Sequence, residues 1–360
     1  MVMPFPLDPP PLWWNLADAP VDESGPRVLS TFSSGGGSSM GYRLAGCKVV
    51  GAVDIDPKPM ACYRSNLVDT LEDPSSCRTE VMGVADILNS PDLIERWQNL
   101  DILDGSPPCT TFSTAGVREQ NWGKEKKFRE GQSSQVLDRL FFDYLDVVNA
   151  LRPRTFVAEN VMGILYGNAK RYVSEIIGHA DRAGYDLQII TANAAHFGVA
   201  QSRSRVFFIG RRRDLRLSKV TAPIPVVPPP YRSFREAVSG LPEEKHPKLS
   251  SLQKTIWENT PEGGGVKRYY QRNRGRSGSG FSTYKIHWDT PCRTIAQASE
   301  HFHPSEKRNL SSAEIRRLSS FPEDYVIPDP ISPRYMKYLC GMSVPPYLAA
   351  AVARSVIATL

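Results

Sequence analysis

The chain has 360 residues, 41% of them apolar, and a formal net charge of +6. That length supports a large core and two lobes. No apolar run reaches a membrane span, and the N-terminus lacks the charged and apolar regions of a secretory leader, so a cytoplasmic protein is expected.

Residues 1–26 are rich in proline and carry Trp13 and Trp14. They read as an extended arm without its own core, its tryptophans docked on the body or, as the alternative, on a partner. Residues 28–32 are strand-like, and Ser33-Ser34-Gly35-Gly36-Gly37-Ser38-Ser39 leads into a helix over 40–46. Strand, glycine loop and helix open a Rossmann-like, doubly wound α/β domain with a mostly parallel sheet, whose glycines let backbone approach a ligand. A second strand, 49–53, ends at Asp54-Ile55-Asp56. An acid there is where such folds bind ribose hydroxyls. Taken alone, this suits a nicotinamide dinucleotide equally, although the loop does not spell G-x-G-x-x-G.

Asp101-Ile102-Leu103 reads as a buried strand that ends at Asp104-Gly105-Ser106-Pro107-Pro108-Cys109. Two prolines fix the backbone and remove two donors, leaving Cys109 at the mouth of the sheet. Cys109 is then either a buried thiol or a reactive one. Six cysteines in all, without a C-x-x-C pair, argue against zinc and disulfides. Residues 114–135 are polar and too long for a simple connection. Lys124, Lys126, Lys127 and Arg129 in that segment suit phosphates or a solvated face. A helix over 136–151 follows, then a buried strand at 155–158 with Glu159 at its end, as an ion-pair residue or a catalytic acid. An amphipathic helix at 172–183 and strands at 187–190 and 206–209 come next. Arg203, Arg205, Arg211, Arg212, Arg213 and Arg216 form a basic block. Five prolines between 222 and 230 mark a semi-rigid linker and a lobe boundary. Residues 217–300, which include that linker, are poorly periodic. Lys267-Arg268-Tyr269-Tyr270, Arg272, Arg274 and Arg276 interleave cations and aromatics, a composition suited to phosphate and base contacts or to a basic loop. A helix from 347 to 360 closes the chain.

Pro107-Pro108-Cys109 after a strand, then Glu159-Asn160-Val161, then Gln201-x-Arg203-x-Arg205, resembles the cytosine-C5 DNA methyltransferases in order and spacing, from about Val28 to Leu360. The resemblance implies a class I methyltransferase fold that binds S-adenosyl-L-methionine, with S-adenosyl-L-homocysteine as product and no metal. It implies that Phe32 packs on the adenine, that Ser33 and Gly35, Gly36 and Gly37 pass under the methionine part, and that Asp54, next to Ile55, holds the ribose. Asp86, beside Ile87, would face the adenine amino group, with Pro107 and Ser343 completing the site. Cys109 would be the nucleophile and Glu159 the acid at cytosine N3. Arg205 would orient the base at O2, and Arg203 would do the same or support the loop. The long segment after Cys109 would close over the DNA.

The resemblance further implies a catalytic domain over 27–216, a target-recognition lobe over 217–332, and a segment, 333–360, that returns to the catalytic domain. Residues 310–318 with Phe321-Pro322, and 335–346, resemble the family's last two motifs. Ser30, Ser34 and Met342 depart from them, standing where the family favours an acid, a glycine and an asparagine. The implied partner is double-stranded DNA, with no membrane, a monomeric enzyme, a cytoplasmic location (on the nucleoid if bacterial) and a cognate restriction endonuclease as a candidate companion. Three alternatives stand beside it. A transfer-RNA cytosine methyltransferase is not favoured by Thr110-Thr111-Phe112-Ser113. A DNA-binding homologue that has lost activity is opposed by the joint presence of Cys109, Glu159 and Arg205. A nicotinamide dehydrogenase would be separated by cofactor binding.

Overall fold

The computed structural model describes residues 9–19, 21–108, 125–126, 135–136, 139–167, 169–242, 249–266, 269, 283–297 and 299–360. Its frame is a seven-stranded sheet: β1 Arg27–Thr31, β2 Lys48–Asp54, β3 Arg78–Val81, β4 Ile102–Gly105, β5 Thr155–Val161, β6 Tyr185–Asn193 and β7 Ser204–Arg212. In space the order is β3-β2-β1-β4-β5-β7-β6. Every pairing is parallel except those of β7, which runs antiparallel to β5 and β6. The strands at the centre are short apolar runs because helices cover both faces; Val28, Leu29, Ile102 and Leu103 are fully buried. Strand order reverses between β1 and β4, the switch point at which such sheets bind ligands.

Helices α1 Gly37–Leu44, α2 Pro57–Leu67, α3 Pro91–Arg96, α4 Leu140–Leu151 and α5 Ala169–Arg182 follow in chain order. Asp56 caps α2 by accepting from Lys58 N, with Pro57 at the first helical position, where its missing N–H costs nothing. After the sheet come α6 Phe234–Val238, α7 Ser251–Glu258, α8 Ser312–Leu318, α9 Met336–Met342 and the closing α10 Pro346–Ile357. α10 lies on α1: a Cβ added at Gly41 would stand 2.4 Å from Ala349 Cβ. None of the described helices is long and apolar enough to cross a membrane.

The described part of the N-terminal arm is bolted to the body. Trp14 is buried and donates to Ser320 O at 2.9 Å, while the Asp324 carboxylate accepts from Leu16 N and Ala17 N at 2.7 and 3.0 Å. Trp13 is partly exposed beneath the Arg317 guanidinium. Among the described residues of 217–332 the strand pairings are short. Thr283–Lys285 runs parallel to Glu300–Phe302, and Cys292–Arg293 parallel to Gln201–Ser202. A small apolar cluster of Leu249, Ile256, Val266 and Phe302 is their own, whereas Phe234, Ile286, Cys292 and Ile295 join the main core. Arg308 grips Glu314 through two bonds of 2.8 Å, and Glu314 also caps α8 through Ser311 N.

The basic block divides. β7 is antiparallel, so Arg205 lies opposite Val161 at the end of β5 while Arg211 lies opposite Thr155 at its start. Six residues of extended chain separate the two by about 20 Å. At the far end Arg213 pairs with Asp181 and Asp186, Arg212 with Asp214, and Arg211 donates to Leu217 O. Of the other basic residues singled out in the sequence, Lys124, Lys127, Arg129, Lys267, Arg268, Arg272, Arg274 and Arg276 lie outside the described residues. Of Lys126 only the backbone is described.

Candidate active site

On leaving β1 the chain turns sharply. The φ angles of Phe32, Ser34 and Gly36 are +52°, +45° and +87°, so left-handed residues alternate along the loop. Ser33 N bonds Val53 O at 3.2 Å and Gly36 N bonds Ser33 O at 2.9 Å. Asp54, the last residue of β2, accepts from Ser34 N at 2.7 Å and Asp56 N at 2.8 Å, one bond to each carboxylate oxygen. Burial pushes its carboxyl up to about 6, against the pull of those N–H groups.

All three glycines are needed for space, and Gly36 for its left-handed conformation as well. A Cβ at Gly36 would fall 2.4 Å from Leu67 Cδ1, and one at Gly37 would fall 2.3 Å from Val344 O. At Gly35 it would meet Leu339 and Tyr325, both at 2.9 Å. Tyr325 also donates to Gly35 O at 2.8 Å. Tyr325 reaches the loop from 290 residues further on, and nothing local in the sequence marks it; Leu339, from the segment 335–346, packs there too. Ser343 is buried beside Gly37, and its Oγ has no partner among the described residues; Ser34 Oγ is in the same state. Phe32 and Ile55 are half-buried, Ile87 is buried, and Asp86 is exposed and accepts from Gly83 N at 3.0 Å.

Beyond the switch point, β4 hands on to 106–108. Cys109 itself lies outside the described residues. Asn160 donates to Pro107 O at 3.0 Å and so ties this buried turn to the end of β5. Glu159 stands one residue beyond the Gly105–Ala158 ladder pair. Its carboxylate meets Arg205 Nε at 2.6 Å, with each side chain 12% exposed. Burial lowers the Arg205 pKa and the Glu159 charge opposes the drop.

Arg203 is placed differently. It is 3% exposed, and its guanidinium donates to Ile295 O at 2.7 Å and Gly341 O at 3.0 Å. Burial, with the Arg205 charge nearby, brings its pKa down to about 9. Gln201 is likewise consumed, donating to Leu318 O and accepting from Ile295 N. Alternate residues of extended chain share a face, yet Gln201 and Arg203 brace the later segments while Arg205 holds the carboxylate. A groove of about 470 Å³ between α10 and residues 218–226 includes none of these groups.

One residue was not singled out by sequence reading. Asp104 is 4% exposed and lies across the ladder from Ser30. It accepts from Ser30 Oγ at 3.1 Å and from Tyr42 Oη at 3.2 Å. Burial pushes it up to about 7, and the Glu159 charge adds to the rise. Its signal in the sequence is an acid inside a four-residue strand, Ile102-Leu103-Asp104-Gly105.

A parallel sheet with one antiparallel strand, a glycine cradle at its switch point and an acid closing β2 define a Rossmann-like class I methyltransferase. Residues 26–358 match the family model described as C-5 cytosine-specific DNA methylase, and the chain belongs to that family of DNA (cytosine-5)-methyltransferases. The type II methyltransferase M.Sau96I of Staphylococcus aureus is 27% identical over 346 residues, 92% of this chain and 75% of that one. M.NgoFVII of Neisseria gonorrhoeae is 29% identical over 351 residues, 92% and 86% of the two chains. Among solved structures, a candidate DNA modification methyltransferase from an Escherichia coli prophage superposes with a TM-score of 0.67 over 93% of this chain and 99% of that one, at 21% identity.

Proposed function

We propose that this enzyme transfers the methyl group of S-adenosyl-L-methionine to C5 of a flipped cytosine in a specific double-stranded DNA site, through a covalent bond between Cys109 and C6. The observation that carries the reading is the Glu159–Arg205 pair at 2.6 Å, set beside the turn that leads to Cys109.

The residues around the glycine loop suit the cofactor. Asp54 offers an acceptor for ribose hydroxyls, with Ile55 beside it. Phe32 offers a ring for the adenine, and Asp86 with Ile87 flanks its amino group. The glycines at 35–37 let the loop pack closely on Leu339, Leu67 and Val344; the methionine part would run along that loop beside Ser33, Pro107 and Ser343, and the orphaned Ser34 and Ser343 hydroxyls support a polar ligand there. When bound, S-adenosyl-L-methionine supplies an electrophilic methyl group.

Cytosine C5 is a weak nucleophile until the Cys109 thiolate adds to C6, which makes C5 carbanion-like. The addition puts charge on N3, and Glu159 protonates it. Arg205 binds O2. Since N3 and O2 are neighbours on the ring, the entering base replaces a direct contact between Glu159 and Arg205 with one contact to each. Arg203 acts here as a brace, holding Ile295 and Gly341 against β7. After transfer, the C5 proton leaves and Cys109 is eliminated. C6 is stacked within the duplex, so the base must leave the helix, costing a few kcal/mol of unstacking.

The same reading assigns sequence choice to residues 217–332, the catalytic frame to 27–216 with 333–360, and a monomeric enzyme working on cellular DNA in the cytoplasm, with or without a cognate endonuclease. Bisulfite sequencing of DNA from a host expressing the chain tests it. One recurring sequence with protected cytosines is expected, and it should vanish in Cys109→Ser. Complete conversion in cells that contain folded protein would overturn the reading.

A further inference from the structure

We propose that the Ser34 hydroxyl is a ligand of the bound cofactor, donating to the carboxylate of its amino-acid half. This inference rests on the reading of the glycine loop as the S-adenosyl-L-methionine site.

Ser34 serves the free protein through its backbone. Its N–H holds Asp54 Oδ2 at 2.7 Å, and a glycine would do that equally well. The side chain is a liability in the free enzyme. At a φ of +45° an L-residue is strained where glycine is not. Ser34 is only 8% exposed, and its Oγ is shut off from solvent and has no hydrogen-bond partner among the described residues. A strained residue whose buried hydroxyl is unsatisfied calls for a reason that lies outside the free protein.

The setting indicates the chemistry of the missing partner. Alternating left-handed residues at Phe32, Ser34 and Gly36 run into the N-terminus of α1, which begins at Gly37. Backbone that alternates in hand, followed by a helix N-terminus, presents N–H groups to an anion. The carboxylate is the cofactor's one anionic group, and a hydroxyl at this position adds a neutral donor to the same cradle. Oγ can be re-aimed by rotation about χ1 alone, since the staggered wells put it at three positions around Cβ.

Two measurements with opposite expected signs test the assignment. Calorimetry is done with S-adenosyl-L-homocysteine, which keeps the amino-acid half, and with 5′-methylthioadenosine, which lacks it. Thermal unfolding is followed on the same ligand-free proteins. Ser34→Gly and Ser34→Ala should each weaken S-adenosyl-L-homocysteine about tenfold and leave 5′-methylthioadenosine within about twofold of wild type. Ligand-free Ser34→Gly should melt higher by roughly 2 °C, as strain and an unsatisfied hydroxyl are both removed. Unchanged S-adenosyl-L-homocysteine affinity would overturn the proposal, as would equal losses for both nucleosides or a lower melting temperature of Ser34→Gly. Failure of wild type to bind either nucleoside would instead overturn the cofactor reading, and this inference with it.

Discussion

The two halves of the sheet build their part of the site with different materials. Around β1 and β2 the lining is backbone: alternating φ angles, three glycines, N–H groups that hold Asp54, and two hydroxyls without partners among the described residues. Around β5 and β7 it is charged side chain: Glu159 against Arg205, with Arg203 locked onto two carbonyls behind them. Backbone suits a ligand that must be held in the same pose each cycle, because its donors are fixed by the fold. Charged side chains suit a step in which partners change, because an ion pair can open to let a base in. The division predicts that damage on the β5–β7 side falls on rate or stability, and damage on the β1–β2 side on cofactor affinity.

The largest expected effect separates two arginines that stand two residues apart. Arg205→Ala and Glu159→Gln should each lower kcat on the order of 10²–10³-fold, with the melting temperature little changed. Arg203→Ala should behave in the opposite way. It leaves the buried carbonyls of Ile295 and Gly341 without donors, so stability should fall by about 2–5 kcal/mol, and activity should track the folded fraction. Radiolabelled methyl transfer beside thermal melts checks both. An Arg203→Ala protein that is fully folded yet inactive would move Arg203 from brace to reacting group.

Next comes Asp54. Asp54→Ala should weaken S-adenosyl-L-methionine on the order of 10–100-fold in calorimetry while DNA binding holds. In wild type, cofactor affinity should fall as pH drops below about 6, where Asp54 takes up its proton and loses acceptor strength. Affinity that is flat from pH 8 to pH 5 would remove Asp54 from the ribose.

A smaller effect lies at Asp104, on the boundary between the halves. Unfolded, its carboxyl ionises near the ordinary 3.8, whereas in the fold it keeps its proton up to about 7. The folded state therefore binds the extra proton between those values, and stability drains away as pH rises through that window. Asp104→Asn should be more stable than wild type at pH 8, on the order of 2–4 kcal/mol, and nearly equal to it at pH 4. Denaturant melts at the two pH values decide. An equal gain at both would mean that charge is not the cause.

The smallest effect is expected at the far end of β7. Arg213 is bound to Asp181 and Asp186, so Arg213→Ala should leave DNA affinity and its salt dependence unchanged. A shallower salt slope would put that end of the sheet on the DNA.

Local features were legible in the sequence. The apolar run at 102–103, the glycines after β1 and the acid closing β2 each follow from neighbours within a turn or a strand. Those features point to a doubly wound, mostly parallel sheet, and the order of its strands comes only from the fold. Long-range closure was not legible. The Q-x-R-x-R spacing marks three polar residues of one type of segment, and only the fold shows that Arg203 meets carbonyls 92 and 138 positions away. The basic block looked like one patch because a list of arginines carries no direction, and the antiparallel strand pulls it in two. Tyr325 on the glycine loop and Asp104 under it are contacts of the same long-range kind.

DNA carrying 5-fluorocytosine at the target site puts the covalent step to the test. Fluorine cannot leave as a cation, so after methyl transfer elimination stops and Cys109 stays bonded to C6. With S-adenosyl-L-methionine, wild-type enzyme should give a protein–DNA band that survives denaturant, Glu159→Gln much less of it, and Cys109→Ser none. An enzyme that methylates ordinary DNA and never forms that band would contradict the account.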